Sequence, residues 1–133
     1  MQATIESIGH IKTPYETLED CPRNIDPQGP PCKLIIRDDL RDGLMGLVLG
    51  QMILILYWLD QADRAVILQN SRRTGALAGI FALRTPNRYN PIGAAVLPIE
   101  AIDGCVITVR GLDCLSGTPL IDIKPAMAGE SLT

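Results

Sequence analysis

The sequence predicts an all-β fold, a small, mainly antiparallel barrel or sandwich with long proline-rich loops, and three observations lead there. Helical periodicity is weak almost throughout, the ordered segments are short and rich in β-branched residues, and the turns between them leave no room for the crossovers of roughly a dozen residues that parallel strands need. At 133 residues the chain suits a single domain over 1–133, with a core that needs no disulfide or metal staple. Aromatics are only 4% of it, so that core is expected to be aliphatic.

Along the chain, "TIESIGHI" at residues 4–11 reads as a first strand ended by Pro14. Prolines at 14, 22, 27, 30 and 31 make the next stretch a long ordered loop or a lid. "CKLIIRDDL" gives a second strand, and "LRDGLMGL" a turn or a single helical turn. "QMILILYWLD" is apolar on both faces, as a central strand should be, and Asp60, Asp63 and Arg64 end it in a charged turn. The apolar run from Leu44 to Leu59 is shorter than the ~20 residues of a membrane span and contains Gln51, so no membrane role is expected. "AVILQN" and "ALAGIFALRT" follow, joined by "SRRTG"; then come "GAAVLPIEAI", "CVITVRGLDC" and "LIDIKP", the last two linked by "LSGTP". That makes seven or so strands. The closing "AGESLT" is expected to be a frayed tail or a partner contact.

Charge and composition exclude several function classes. A net charge of -3 speaks against a general phosphate-binding surface, although Arg72, Arg73, Arg84 and Arg88 crowd one short window. The four cysteines form no CxxC pair and the one histidine, His10, lies in an apparent strand, so neither a zinc site nor a histidine-dependent nucleophile is supported. Phosphate-loop and dinucleotide glycine patterns are missing. The start lacks a basic region and an apolar run, which leads to the expectation of a cytoplasmic protein with reduced, inert thiols.

Two segments stand out. In "RTPNRYNPIG", residues 84–93, Pro86 and Pro91 forbid a helix interior or central strand, Asn87 and Asn90 favour turns, and Gly93 permits positive φ. A rigid loop with two exposed arginines is a candidate for anion recognition, and a loop stabilised by its own asparagine caps explains the same residues. In "LDCLSGTPLIDIKP", Asp113, Asp122 and Lys124 flank a turn shaped by Gly117 and Pro119; a salt-linked hairpin accounts for them equally well.

With "IGHIKTPY" and "ILYWLDQADR", these segments make four motifs in order, and the chain resembles the TsaA-like, TrmO-type S-adenosylmethionine-dependent methyltransferases over nearly its whole length. The resemblance implies a small antiparallel β-barrel with long proline-rich loops, paired as a homodimer that binds S-adenosylmethionine near the subunit contact, and methylation of N6 of threonylcarbamoyladenosine in tRNA. It places Arg84, Arg88, Asn90, Pro91, Ile92 and Gly93 at the cofactor or reaction centre, opposite a wall of Asp113, Thr118, Pro119, Asp122 and Lys124. Asn90, Asp113 and Asp122 are the catalytic candidates, the last two to orient neighbours or take a proton. A small-molecule methyl acceptor and a non-catalytic cofactor-binding module are the alternatives. The family pattern is departed from at Gln51, Met52, Tyr89, Ser116 and Ala126, which bears on the methyl acceptor more than on the cofactor.

Overall fold

The computed structural model describes residues 1–129, so the expectation for the tail at 130–133 lies outside the described residues. Nine strands form: β1 Gly9–Lys12, β2 Pro31–Ile36, β3 Met52–Trp58, β4 Leu68–Asn70, β5 Leu77–Gly79, β6 Ile92–Pro98, β7 Ala101–Asp103, β8 Val106–Arg110 and β9 Thr118–Pro125. Seven of them make one antiparallel sheet in the order β6-β3-β9-β1-β2-β8-β7, and β4 pairs with β5 as a separate hairpin. The strand class and antiparallel pairing match the expectation. No ladder joins the two outer strands of the sheet, so a closed barrel is not found among the described residues. The sheet nevertheless curls, because β6 at one edge meets β8 near the other.

The pleat explains the core. Along β3, Ile53, Ile55 and Tyr57 point inward and are buried while Leu54, Leu56 and Trp58 on the other face are half-buried. Ile11, Leu34, Leu97, Ile107, Val109 and Leu120 complete an aliphatic interior to which Tyr57 is the one aromatic contributor among the described residues.

Several boundaries move for physical reasons. The first strand starts at Gly9 rather than at residue 4: β2 ends at Ile36, opposite Gly9, and the ladder to β9 stops at Leu120. "RDDL" leaves β2 for a 3-10 helix over Asp38–Leu44, so the helical alternative for the following turn holds. "ALAGIFALRT" is strand only at Leu77–Gly79 before a 3-10 turn at Ile80–Ala82. The segment at 93–102 breaks into β6 and β7 around Ile99, whose N–H is taken by Gln51 O.

The long 14–31 stretch is an ordered loop. Asp26 N donates to Gly111 O at 2.8 Å, Gly111 N to Pro30 O at 2.9 Å and Arg110 Nη1 to Gly29 O at 3.2 Å. Gly111 sits at φ +81°, and any Cβ there would overlap the backbone of Asp26. Only glycine serves both demands.

Candidate functional site

The register of β3 brings the two singled-out segments together. Trp58 pairs with Ile92 on one side while Tyr57 pairs with Leu120 on the other, so the "NPIG" and "GTPL" residues lie two strand spacings apart, about 10 Å. Tyr57 and Trp58 point to opposite faces, and each organises one half of the site.

On the outer face a groove of about 700 Å³ is lined by Trp58, Arg64, Tyr89, Asn90 and Ile92 from one side and by Pro119 and Ile121 from the other. Residues 1–5 and Ser7 make a further wall, tethered where Arg37 Nη1 donates to Ser7 O at 3.1 Å. Arg64 is the groove's cation. Its Nε donates to Tyr89 O at 2.7 Å and its Nη2 to Asn90 Oδ1 at 3.2 Å, while the guanidinium lies 5.3 Å from the Trp58 ring centre and 5.7 Å from that of Tyr89. Such stacking with a fork of donors is a geometry that arginine makes and lysine does not.

On the inner face Tyr57 OH donates to Asp113 Oδ1 at 2.9 Å. Burial raises the carboxyl pKa of Asp113 above its ordinary value, outweighing the Tyr57 hydrogen bond and the Arg84 guanidinium, both of which lower it. Burial and the Asp113 charge likewise push the Tyr57 phenol up, so it stays neutral. Gly93 does not use positive φ. It is required because a Cβ would enter the Tyr57 ring packed against it.

The remaining expected site residues scatter. Arg88 Nη1 donates to Leu83 O at 2.9 Å and to Thr85 O at 3.2 Å, holding its own loop in shape. Arg84 is exposed, with Nη2 reaching Ala94 O at 3.4 Å. Pro91 is fully buried, and buried Thr118 Oγ1 donates to Leu115 O at 2.7 Å inside the turn. Asp122 and Lys124 form an ion pair at 3.1 Å on β9, away from the groove lining. Of the expected residues the groove therefore gathers Asn90, Ile92 and Pro119. The loop asparagines cap other elements rather than their own loop, since Asn87 Oδ1 accepts from Asp63 N at 2.9 Å.

Arg64, Trp58 and Tyr57 were not among the expected site residues, although all three lie in the quoted "ILYWLDQADR". Arg64 reads there as one more turn charge. Burial pushes the Cys114 thiol up to about 12 and raises that of Cys32, in keeping with inert thiols. Chemically, the groove offers flat apolar faces, one guanidinium and one amide, a donor set that fits a nucleoside bearing a carboxylate.

The family described as the tRNA-methyltransferase O N-terminal domain matches residues 10–129. The chain is 42% identical over 123 residues to a probable S-adenosyl-L-methionine-binding protein, VirR, of Rhizobium radiobacter, covering 92% of this chain and 70% of that protein. It is 30% identical over 131 residues to the tRNA (adenine(37)-N6)-methyltransferase of Rattus norvegicus, covering 92% of this chain and 30% of the rat protein. The crystal structure of TrmO from Pseudomonas aeruginosa superposes with a TM-score of 0.79 at 25% identity, covering 99% of this chain and 60% of that one. The chain thus spans well under two thirds of the rat and Pseudomonas proteins.

Proposed function

This chain belongs to the family of the tRNA-methyltransferase O N-terminal domain, and from that membership we propose that it is an S-adenosylmethionine-dependent methyltransferase acting on N6 of a tRNA adenine, with threonylcarbamoyladenosine as acceptor. The observation that carries the reading is the groove shared by Asn90, Ile92 and Pro119, in which two segments distant in the chain face one cavity that also holds Arg64 and Trp58. We assign Arg64 to the cofactor carboxylate and the apolar faces of Trp58, Ile92 and Pro119 to the adenine. When bound, the cofactor supplies a methyl group on a positively charged sulfur.

The chain's own residues then align the acceptor. Asn90 positions the acceptor N–H in line, and such alignment accounts for much of the acceleration in a transfer of this kind. Asp113 acts from the inner face, where it accepts from Tyr57 OH and fixes the ring packed against Gly93, so we assign it to orient that neighbour, and the displaced proton leaves to water in the groove. Thr118, Pro91 and Gly93 hold the backbone that shapes the groove, Arg84 and Arg88 support its rim, and the Asp122–Lys124 pair orients the β9 wall.

Two further features complete the proposal. The outer face of β6 and β3 presents Met52, Leu54, Leu56 and Val96, bordered on β9 by the Asp122–Lys124 pair, and we assign it to a second copy of the chain in a homodimer, with the curled sheet completing a barrel-like shell. A cytoplasmic location accords with four unpaired cysteines; no helix among the described residues is long and apolar enough to cross a membrane.

A second reading, a non-catalytic cofactor-binding module, is favoured by the VirR relative, whose name specifies binding alone. A small-molecule methyl acceptor is the third. Incubation with methyl-labelled S-adenosylmethionine and bulk tRNA separates them: label on a threonylcarbamoyladenosine nucleoside that is lost in Asn90→Ala supports the enzyme. Cofactor binding without transfer to tRNA or to any extract component supports the module.

A further inference from the structure

The β4–β5 hairpin and the 3-10 turn after it carry features that the cofactor groove does not use. Residues 64–99 contain five arginines and no acidic residue, in a chain whose net charge is -3. Arg72 and Arg73 lie in the exposed turn of that hairpin, in none of the four ion pairs with an acid among the described residues. At its base an apolar slot of about 350 Å³ is lined by Ile67, Leu68, Gly79, Ile80, Phe81 and Tyr89. Phe81, the only phenylalanine, is 86% exposed, and Tyr89 is 67% exposed. Tyr89 also lines the cofactor groove, so slot and groove adjoin across one ring.

Exposed rings beside a basic turn match the chemistry of RNA. Unstacked bases are held on aromatic faces, and their phosphates by arginine. We propose that this hairpin is an RNA-docking arm: Arg72 and Arg73 hold backbone phosphates, and the slot between Phe81 and Tyr89 takes an unstacked base next to the one presented to the groove. The assignment rests on the tRNA reading above and names the part of the chain that reads the RNA. Tyr89 is one of the positions at which the chain departs from the family pattern, and it gives this chain a stacking face there.

Binding of unmodified and modified tRNA to the full chain is measured as a function of salt, with cofactor affinity measured in parallel. Arg72→Gln with Arg73→Gln is expected to weaken tRNA binding about tenfold at low salt and to reduce the slope of log affinity against log salt by about 1 to 2. Phe81→Ala is expected to weaken it about 5- to 100-fold with the slope unchanged. Both variants keep wild-type cofactor affinity, which also reports that they are folded. Unchanged tRNA affinity and slope in the double variant, with wild type binding normally, overturns the arm alone. Failure of wild type to bind or methylate tRNA overturns the tRNA reading and the arm together.

Discussion

Two single residues carry sharp demands. A Cβ on Gly93 meets the buried Tyr57 ring, and small-to-large changes in a packed interior cost about 1–3 kcal/mol. Gly93→Ala should therefore lower unfolding free energy by that amount in denaturant titration, and wild-type stability in the variant would refute the close-packing explanation. Asp113 titrates near 3.8 when unfolded and higher when folded, so the native chain holds its proton more tightly. Its contribution to stability is thus fullest below pH 3.8 and declines as pH rises through the folded value. Asp113→Asn should flatten that decline in unfolding curves collected across pH; an unaltered profile would place the titration elsewhere.

At the scale of elements, Arg64 joins the turn after β3 to the loop before β6 through Tyr89 O and Asn90 Oδ1. Removing charge-assisted hydrogen bonds and stacking of this kind costs about 1–3 kcal/mol. Arg64→Ala should speed hydrogen exchange through residues 87–92 and weaken cofactor binding, and Arg64→Lys should restore neither, because lysine lacks the planar fork. Exchange confined to the 60–65 turn would contradict that coupling. The elements themselves were largely legible: the short, β-branched and apolar runs of "MILILYW" and "CVITVR" are a local property, and β3 and β8 fall inside those segments. What was not legible was relational. Gly93 looks like a turn glycine until Tyr57 is placed opposite it, and Arg64 looks like a solvated charge until β3 sets Trp58 beneath it. The first strand was overextended because nothing in "TIES" says where its neighbours stop. Asn90, Ile92 and Pro119 line one groove because the β6-β3-β9 register sets two motifs distant in the chain side by side.

For the whole molecule, one face of β6 and β3 presents exposed or half-buried apolar side chains, Met52, Leu54, Leu56 and Val96, beside the Asp122–Lys124 pair of β9. An exposed contiguous apolar face marks an interaction surface, and a second copy is the assigned occupant. Light scattering should give twice the 14.4 kDa chain mass, and Leu56→Asp should return the protein to a monomer. A monomeric wild type would remove that assignment without touching the groove.

The central claim is that Asn90, Ile92 and Pro119 share a cavity built to hold a sulfonium nucleoside, and a crystal structure with S-adenosylhomocysteine bound tests it most directly. The adenine is expected against Trp58 and Pro119, with its carboxylate at Arg64. Well-defined ligand density on any other face of the sheet would contradict the account.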